Sequence, residues 1–243
     1  MLPPCSTPLS PLDWSKFFLA TCGTQVRVFG RENLPDGAAI VASNHRSVLD
    51  PFVVMSALAL PIRYACHFYM TQVPGLREIV ARLNCLPLGT SRRQQVAFLQ
   101  QAESCLQRQA AVGIFPEGVD SMTTHRPPQR MSPFHRGFAQ LALRSRVESL
   151  PIVPVAICPR YEYRAPDLPL ELFRYFDPTE PSFQTGGNHP VVMYREVDIR
   201  IAPPIWIRDR QPVRGQKLTE LASRLASQTR GRLLEQIYQP FHT

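Results

Sequence analysis

His45 and Asp50 stand five positions apart, immediately after an apolar run. On one continuous helix, residues five apart would point about 140° away from each other. The two side chains can therefore meet only if His45 precedes the helix and Asp50 lies in its first turn. Ser47 and Asp50 have the spacing of a capping box, which predicts a helix with Ser47 as its N-cap. A carboxylate on one imidazole nitrogen leaves the other nitrogen as a base, so the pair predicts proton transfer from a hydroxyl. The alternative is that Asp50 only caps the helix and His45 makes a local hydrogen bond.

A second cluster of chemically useful residues follows another apolar strand, at Phe115, Pro116, Glu117 and Gly118. Pro116 has no amide donor and Gly118 permits tight backbone geometry, so the turn should present the Glu117 carboxylate rigidly. A third apolar strand, "LPIVPVAI", follows at residues 150–157. Each of these strand ends would be ordinary by itself, and their order along the chain is the informative feature.

Together these residues resemble the glycerolipid acyltransferase family, which includes the 1-acylglycerol-3-phosphate acyltransferases and carries a His-x4-Asp motif. The similarity extends over about residues 26–207. It implies transfer of a fatty acyl group from acyl-CoA or acyl carrier protein to a hydroxyl of a lysophospholipid, in phospholipid biosynthesis, with no other cofactor. It implies that His45 is the general base and that Asp50 orients it. It also implies that Asn44, Glu117 and Gly118 bind the substrate.

The chain departs from that family at two positions associated with the acceptor phosphate. Gly89 and Thr90 stand where an acidic residue and an arginine often occur, and Val119 and Asp120 replace a threonine and an arginine. We therefore expect displaced arginines to bind the phosphate. The first candidates are Arg92 and Arg93, and the next are Arg126, Arg130 and Arg136.

Alternating strand and helix patterns predict an α/β fold with a mostly parallel sheet flanked by helices. The family resemblance implies that this fold is like that of the glycerol-3-phosphate acyltransferases. Strands are predicted at residues 25–29, 38–43, 62–68, 85–88, 112–115 and 152–158. Helices are predicted at residues 12–22, 48–60, 76–84, 92–108, 133–146 and 216–238. Residues 197–202 alternate apolar and charged side chains, which predicts a half-exposed strand near an edge. Residues 159–190, rich in proline and aromatics, are expected to form a long connection, either a lid or a packed loop.

We expect residues 1–23 to form an N-terminal helical extension and residues 24–243 to form the acyltransferase domain. No apolar run reaches the roughly 18–20 residues that span a bilayer, and the N-terminus does not look like a signal peptide. The expected location is the cytoplasm, peripheral on the cytoplasmic face of a membrane. Trp14, Phe17 and Phe18 are the candidate membrane contacts.

The net charge of +8 comes mostly from arginines, which match phosphate geometry and favour lipid headgroups or nucleic acid as partners. No aromatic signature of an RNA-binding module is present, so nucleic acid is not the expected partner. The six cysteines are scattered without a zinc spacing, so no bound metal is expected.

Three other functions remain open. The acceptor could be a neutral or zwitterionic lipid. The protein could be a metal-dependent hydrolase with His45, Asp50 and Glu117 as ligands, although paired histidines are missing. It could also be a non-catalytic module that binds lipid or nucleic acid through its arginines, which would not require His45 beside Asp50.

Overall fold

A computed structural model describes residues 9–118, 127, 129–169, 174–175, 188–208 and 214–240. These residues form eight strands and six α-helices. Most of these elements lie within a few residues of a predicted one, whereas the strands that begin at Leu150 and Asn188 are much longer than predicted. The strands are β1 Gln25–Phe29, β2 Ala39–Ser43, β3 Ile62–His67, β4 Leu86–Leu88, β5 Ala111–Ile114, β6 Leu150–Pro169, β7 Asn188–Ile201 and β8 Ile205–Ile207. The helices are α1 Pro11–Thr21, α2 Asp50–Leu58, α3 Leu76–Arg82, α4 Arg92–Gln107, α5 Gly137–Arg144 and α6 Gly215–Tyr238.

All eight strands belong to one sheet, in the order β1-β7-β6-β2-β5-β3-β4, with β8 paired to β6. Neighbouring strands are parallel except where β6 meets β7 and β8. The fully apolar β2 lies between β5 and β6, as expected for a strand that is buried on both faces. The predicted α/β fold with a mostly parallel sheet is therefore confirmed.

The two faces of the sheet carry separate hydrophobic cores because successive strand residues point to opposite sides. Ala39 and Val41 of β2 face α1 and α2, whereas Ile40 and Ala42 face α4, α5 and α6. The sheet is thus covered on both faces. The carboxyl ends of β2 and β5 lie side by side, and the loops that follow them are brought together there.

The prediction that residues 197–202 form a half-exposed strand is wrong, although the strand does lie near an edge of the sheet, next to the edge strand β1. These residues belong mainly to β7, which lies between β1 and β6, and Asp198 and Arg200 are almost completely buried. Asp198 accepts a hydrogen bond from Arg27 of β1 at 2.9 Å. Arg200 donates to the carbonyls of Gln236 and Gln239 near the end of α6, at 2.8 and 2.7 Å. Charged side chains alternate here because they have partners inside the fold.

The expected long connection at residues 159–190 is also corrected in part. β6 continues to Pro169 and β7 begins at Asn188, so the two strands form an antiparallel arm that extends from the sheet. Its pairing contains register shifts after Pro159 and after Ala165. Except for residues 174–175, the part between these strands lies outside the described residues.

The N-terminal helix α1 packs on α2. Trp14 stacks on Phe18 with ring centroids 5.4 Å apart, and both rings contact Phe52 of α2. Of the three residues expected at a membrane, only Phe17 is exposed, at 60%. Within the described residues, no helix combines the length and the apolar character needed to cross a bilayer.

Candidate active site

The site lies where β2 and β5 end. Asn44 and His45 follow β2 directly, and the turn from Phe115 to Gly118 follows β5, its parallel neighbour. Open α/β sheets bind ligands at this edge, because loops from adjacent strands converge there. The sheet topology therefore brings the two predicted clusters together.

His45 and Asp50 form the predicted pair. His45 Nδ1 lies 2.8 Å from Asp50 Oδ2, and Asp50 is fully buried while 19% of the His45 side chain is exposed. Asp50 Oδ2 already accepts hydrogen bonds from two backbone amides, so it serves as an acceptor and His45 Nδ1 is assigned as the donor of this contact. His45 Nε2 then keeps its lone pair and can act as a base.

The Asp50 carboxylate is held by three further donors. The amides of Arg46 and Ser47 donate to Oδ2 at 2.6 and 2.8 Å, and the Tyr194 hydroxyl donates to Oδ1 at 2.7 Å. Burial and the adjacent carboxylate raise the pKa of Tyr194 well above its ordinary value, so this tyrosine stays protonated and remains a donor. Asp50 therefore has a fixed orientation toward His45.

The predicted capping box is present only in part. Helix α2 begins at Asp50, and Leu49, which has no side-chain cap, is its N-cap residue instead of Ser47. The Ser47 hydroxyl accepts from the Leu49 amide at 3.0 Å and donates to the Val192 carbonyl. Of the two hydrogen bonds that make a capping box, the one in which the Asp50 carboxylate accepts from the Ser47 amide is present. Since Ser47 is fully buried and its hydroxyl is engaged, it does not act as a nucleophile in this arrangement.

Glu117 is a second buried carboxylate, 3% exposed, and it also accepts backbone amides. Its Oε1 lies 3.1 Å from the His45 amide and its Oε2 lies 2.7 Å from the Ser132 amide. Glu117 thus joins the loop after β2 to the segment before α5. Its predicted contact with the substrate stays a prediction.

Asn44 continues the hydrogen bonding of β2 with its side chain. Its amide group accepts from the Ile157 amide at 2.8 Å and donates to the Ile157 carbonyl at 3.0 Å. This pairing holds the backbone that leads into His45. Because the Asn44 amide is occupied against β6, the structure gives it a positioning contact, and its predicted contact with the substrate stays a prediction.

The imidazole of His45 is also fixed by aromatic packing. The Phe115 ring stacks on His45 with centroids 4.1 Å apart and on Tyr64 with centroids 5.1 Å apart. Gly113 of β5 makes room for Tyr64, because a Cβ atom there would lie 2.4 Å from the tyrosine ring. The ring of His45 is therefore held on its edge by Asp50 and on its face by Phe115.

An apolar cavity of about 790 Å³ begins at this wall of the site. Its lining includes Phe115, Pro116 and Gly118 of the turn after β5, together with Phe98 and Leu99 of α4. Gly118 has a positive φ of 66°, and a Cβ atom there would lie 3.1 Å from the His135 ring. Both the backbone conformation and the lack of space therefore favour glycine at this position.

The arginines predicted to bind phosphate lie in different places. Arg92 and Arg93 are exposed at the start of α4, and neither lines the apolar cavity, although the next residues, Gln94 and Gln95, do. Arg136 is exposed just before α5, and Arg130 is exposed in the preceding loop. Val119, Asp120 and Arg126 lie outside the described residues. Phosphate binding by Arg92 and Arg93 stays a prediction.

Two contacts of the site were not predicted from the sequence. Tyr194 is one, and the sequence carries no local signal for it, because residues 191–194 are all apolar or aromatic and their alternating burial appears only in the structure. The other is the ion pair in which Arg46 Nε donates to Glu162 at 2.7 Å, which ties the arm to the His45 loop. Burial alone would lower the pKa of Arg46, but the hydrogen bonds and charge of Glu162 outweigh it and raise that pKa.

The described residues contain no group of three histidine, cysteine, aspartate or glutamate side chains close enough together to hold a metal ion.

The chain is similar in sequence to known acyltransferases. The family model described as "Acyltransferase" matches residues 25–158. A 1-acyl-sn-glycerol-3-phosphate acyltransferase of Pseudomonas aeruginosa is 29% identical over 152 residues, which is 59% of this chain and 55% of that protein. One from Saccharomyces cerevisiae is 30% identical over 137 residues, covering 56% of this chain and 43% of that protein. The chain thus spans about half the length of the curated relatives it matches.

Among solved structures, the 1-acyl-sn-glycerophosphate (LPA) acyltransferase PlsC of Thermotoga maritima has a similar fold. The TM-score is 0.59 at 19% sequence identity, and the similarity covers 96% of this chain and 80% of that one. The match over nearly the whole chain agrees with the mostly parallel sheet flanked by helices described above.

Proposed function

The chain belongs to the acyltransferase family, and from this we propose that it transfers a fatty acyl group from a thioester to a hydroxyl of a lysophospholipid. The observation that carries the proposal is the His45–Asp50 pair, 2.8 Å apart, in which Asp50 is buried and His45 is partly exposed, beside the apolar cavity. A cavity of about 790 Å³ falls in the range of about 300–1,000 Å³ that is usual for ligand sites. Its apolar walls suit a fatty acyl chain.

In the proposed reaction, His45 Nε2 takes the proton from the acceptor hydroxyl as its oxygen attacks the thioester carbonyl. A carbon–oxygen bond forms, and the tetrahedral intermediate then collapses with cleavage of the carbon–sulfur bond. The imidazolium returns its proton to the departing thiolate, so the enzyme is unchanged at the end. A positioned base of this kind typically contributes about 10²–10⁴-fold in rate.

Asp50 has two tasks in this scheme. Its carboxylate keeps the proton of the neutral imidazole on Nδ1, and it stabilises the positive charge that His45 carries during transfer. The four donors around Asp50 support the first task because they leave the carboxylate no freedom to turn away. The proposed reaction has no covalent acyl-enzyme intermediate. Ser47, which follows His45 by two residues, is buried, and its hydroxyl is hydrogen-bonded to the backbone of Val192 and Leu49.

We propose acyl-CoA or acyl carrier protein as the donor and a phosphorylated lysophospholipid, such as 1-acylglycerol 3-phosphate, as the acceptor. The names of the relatives support this acceptor class. A neutral or zwitterionic acceptor is the second candidate, and it is favoured by the absence of Arg92 and Arg93 from the described cavity lining. Turnover with 1-acylglycerol 3-phosphate, monoacylglycerol and lysophosphatidylcholine distinguishes the two.

The test is acyl transfer by the purified protein with each donor and acceptor. We expect His45→Ala and Asp50→Asn to reduce turnover by at least about a hundredfold while the melting temperature stays within a few degrees. Asp36→Asn, which changes an exposed carboxylate outside both the site and the cavity, is the matched control and should leave turnover unchanged. If His45→Ala retains more than a few per cent of wild-type turnover, the proposed role of His45 is wrong.

A further inference from the structure

A second cavity, of about 450 Å³, lies between the loop before α5 and helix α6. Its polar lining consists of His135, Arg136, Ser223, Ser227 and Arg230, and we call it the basic groove. Among the described residues that line it, none is acidic. The groove therefore presents guanidinium, imidazole and hydroxyl donors to the same space.

The two guanidinium groups of the basic groove are not neutralised by carboxylates in the described part of the chain. Arg136 Nη1 donates to the Ser223 hydroxyl at 3.4 Å. Arg230 donates to the backbone carbonyls of Ser132 and Met131 at 3.0 and 2.9 Å. These partners are neutral, so no carboxylate among the described residues competes with an anion for either guanidinium group. Guanidinium groups bind phosphate through paired hydrogen bonds, which makes a phosphate the natural ligand.

The basic groove is joined to the active site through the loop before α5. The Ser132 amide donates to Glu117, which also accepts the His45 amide, while the Ser132 carbonyl accepts from Arg230. The amide of His135 donates to the Pro116 carbonyl at 2.8 Å. His135 also lines both cavities, so the basic groove continues the apolar cavity.

We propose that the basic groove binds the phosphate-bearing part of a substrate whose apolar part lies in the apolar cavity. This inference rests on the proposed function, which supplies two substrates of that description. One is the acyl donor, with the phosphates of coenzyme A or of the carrier's prosthetic group. The other is the acceptor, with its glycerol phosphate. The shared chemistry is a phosphate next to a lipid-like chain.

The test places a negative charge in the basic groove without removing a described hydrogen bond. Ser227→Asp adds a carboxylate to the groove, and Gln228→Asp adds the same charge at the next exposed residue of α6, outside the groove. Binding of coenzyme A and of a short-chain lysophosphatidate to the full chain is measured by calorimetry, which does not depend on turnover. We expect Ser227→Asp to weaken one of these ligands about tenfold and Gln228→Asp to leave both unchanged.

The ligand that responds identifies the source of the phosphate. Weaker binding of coenzyme A assigns the groove to the donor, and weaker binding of lysophosphatidate assigns it to the acceptor. Arg136→Gln should weaken the same ligand, because it removes a cation from the groove wall. If both ligands bind Ser227→Asp as tightly as they bind Gln228→Asp, the inference is overturned. If binding responds as expected but the protein transfers no acyl group, the groove stands and the proposed function fails.

Discussion

Tyr194→Phe isolates the contact that holds the Asp50 carboxylate from the side of the sheet. The Tyr194 hydroxyl donates to Asp50 Oδ1 at 2.7 Å, and both residues are fully buried. Phenylalanine keeps the ring and its packing and removes only this donor. Oδ2 keeps its contacts with His45 and with the amides of Arg46 and Ser47. The substitution therefore tests one hydrogen bond to one oxygen.

The expected magnitude follows from the charge and burial of the acceptor. Hydrogen bonds to charged groups contribute about 1.5–3 kcal/mol, and a buried acceptor that loses its donor is at the costly end of that range. We expect Tyr194→Phe to lower the free energy of unfolding by about 2–3 kcal/mol. If about half of this free energy serves to orient Asp50 toward His45, kcat falls about fivefold to tenfold, since about 1.4 kcal/mol corresponds to a factor of ten.

The pH dependence gives the same contact a second, independent signature. The pKa of Tyr194 is raised in the fold, so its stabilising contribution is complete below the ordinary tyrosine pKa of about 10 and is lost as pH rises toward the folded value. The pKa of buried Tyr64 is raised in the same direction, chiefly by burial. Each tyrosine can contribute a slope of up to about 1.4 kcal/mol per pH unit above pH 10. Tyr194→Phe should remove the part of this pH dependence that comes from Tyr194 and leave the part that comes from Tyr64.

The assay is urea unfolding at pH 8 and above pH 10, together with kcat at saturating substrates. Tyr163→Phe, on the exposed part of the arm, is the control and should change neither quantity. The reasoning is refuted if Tyr194→Phe is as stable as wild type at pH 8 and turns over at the same rate. That result would mean that Asp50 is oriented without its contact to β7.

Two further predictions concern the arm and the N-terminal helix. Glu162→Gln should lower the free energy of unfolding by about 1–2 kcal/mol in urea titrations, because it removes the carboxylate that pairs with the largely buried Arg46. The exposed Glu148→Gln should have no effect, and equal values for the two variants would contradict the attachment of the arm to the His45 loop. We also propose that α1 contacts the cytoplasmic face of a membrane, so Phe17→Ser should reduce co-sedimentation with anionic liposomes at low salt, whereas Val96→Ser on α4 should not. Failure of the wild-type protein to sediment with such liposomes would refute the proposal.

The sequence predicts most of this fold because local patterns identify buried parallel strands. The apolar β2 is central, and the His45–Asp50 pair forms because both residues lie within one short turn. The features that the sequence does not predict depend on contacts between residues that are distant along the chain. Residues 197–202 look half-exposed until Arg27 and the end of α6 are placed beside Asp198 and Arg200, which the local alternation cannot reveal. Tyr194 is missed for the same reason, since it reaches Asp50 only after β7 has paired in the sheet.

The two buried carboxylates of the site have different tasks although both accept backbone amides. Asp50 contacts the imidazole ring, and in the proposed reaction it stabilises the positive charge of that ring. Glu117 instead contacts the backbone amides of His45 and Ser132 and so sets the spacing between two loops. Since the Ser132 carbonyl is in turn bound by Arg230, the His45 loop and the basic groove belong to one hydrogen-bonded unit. A phosphate bound in the groove would therefore be positioned relative to His45 largely through backbone hydrogen bonds. Such contacts give a more precise distance than long, exposed side chains could provide.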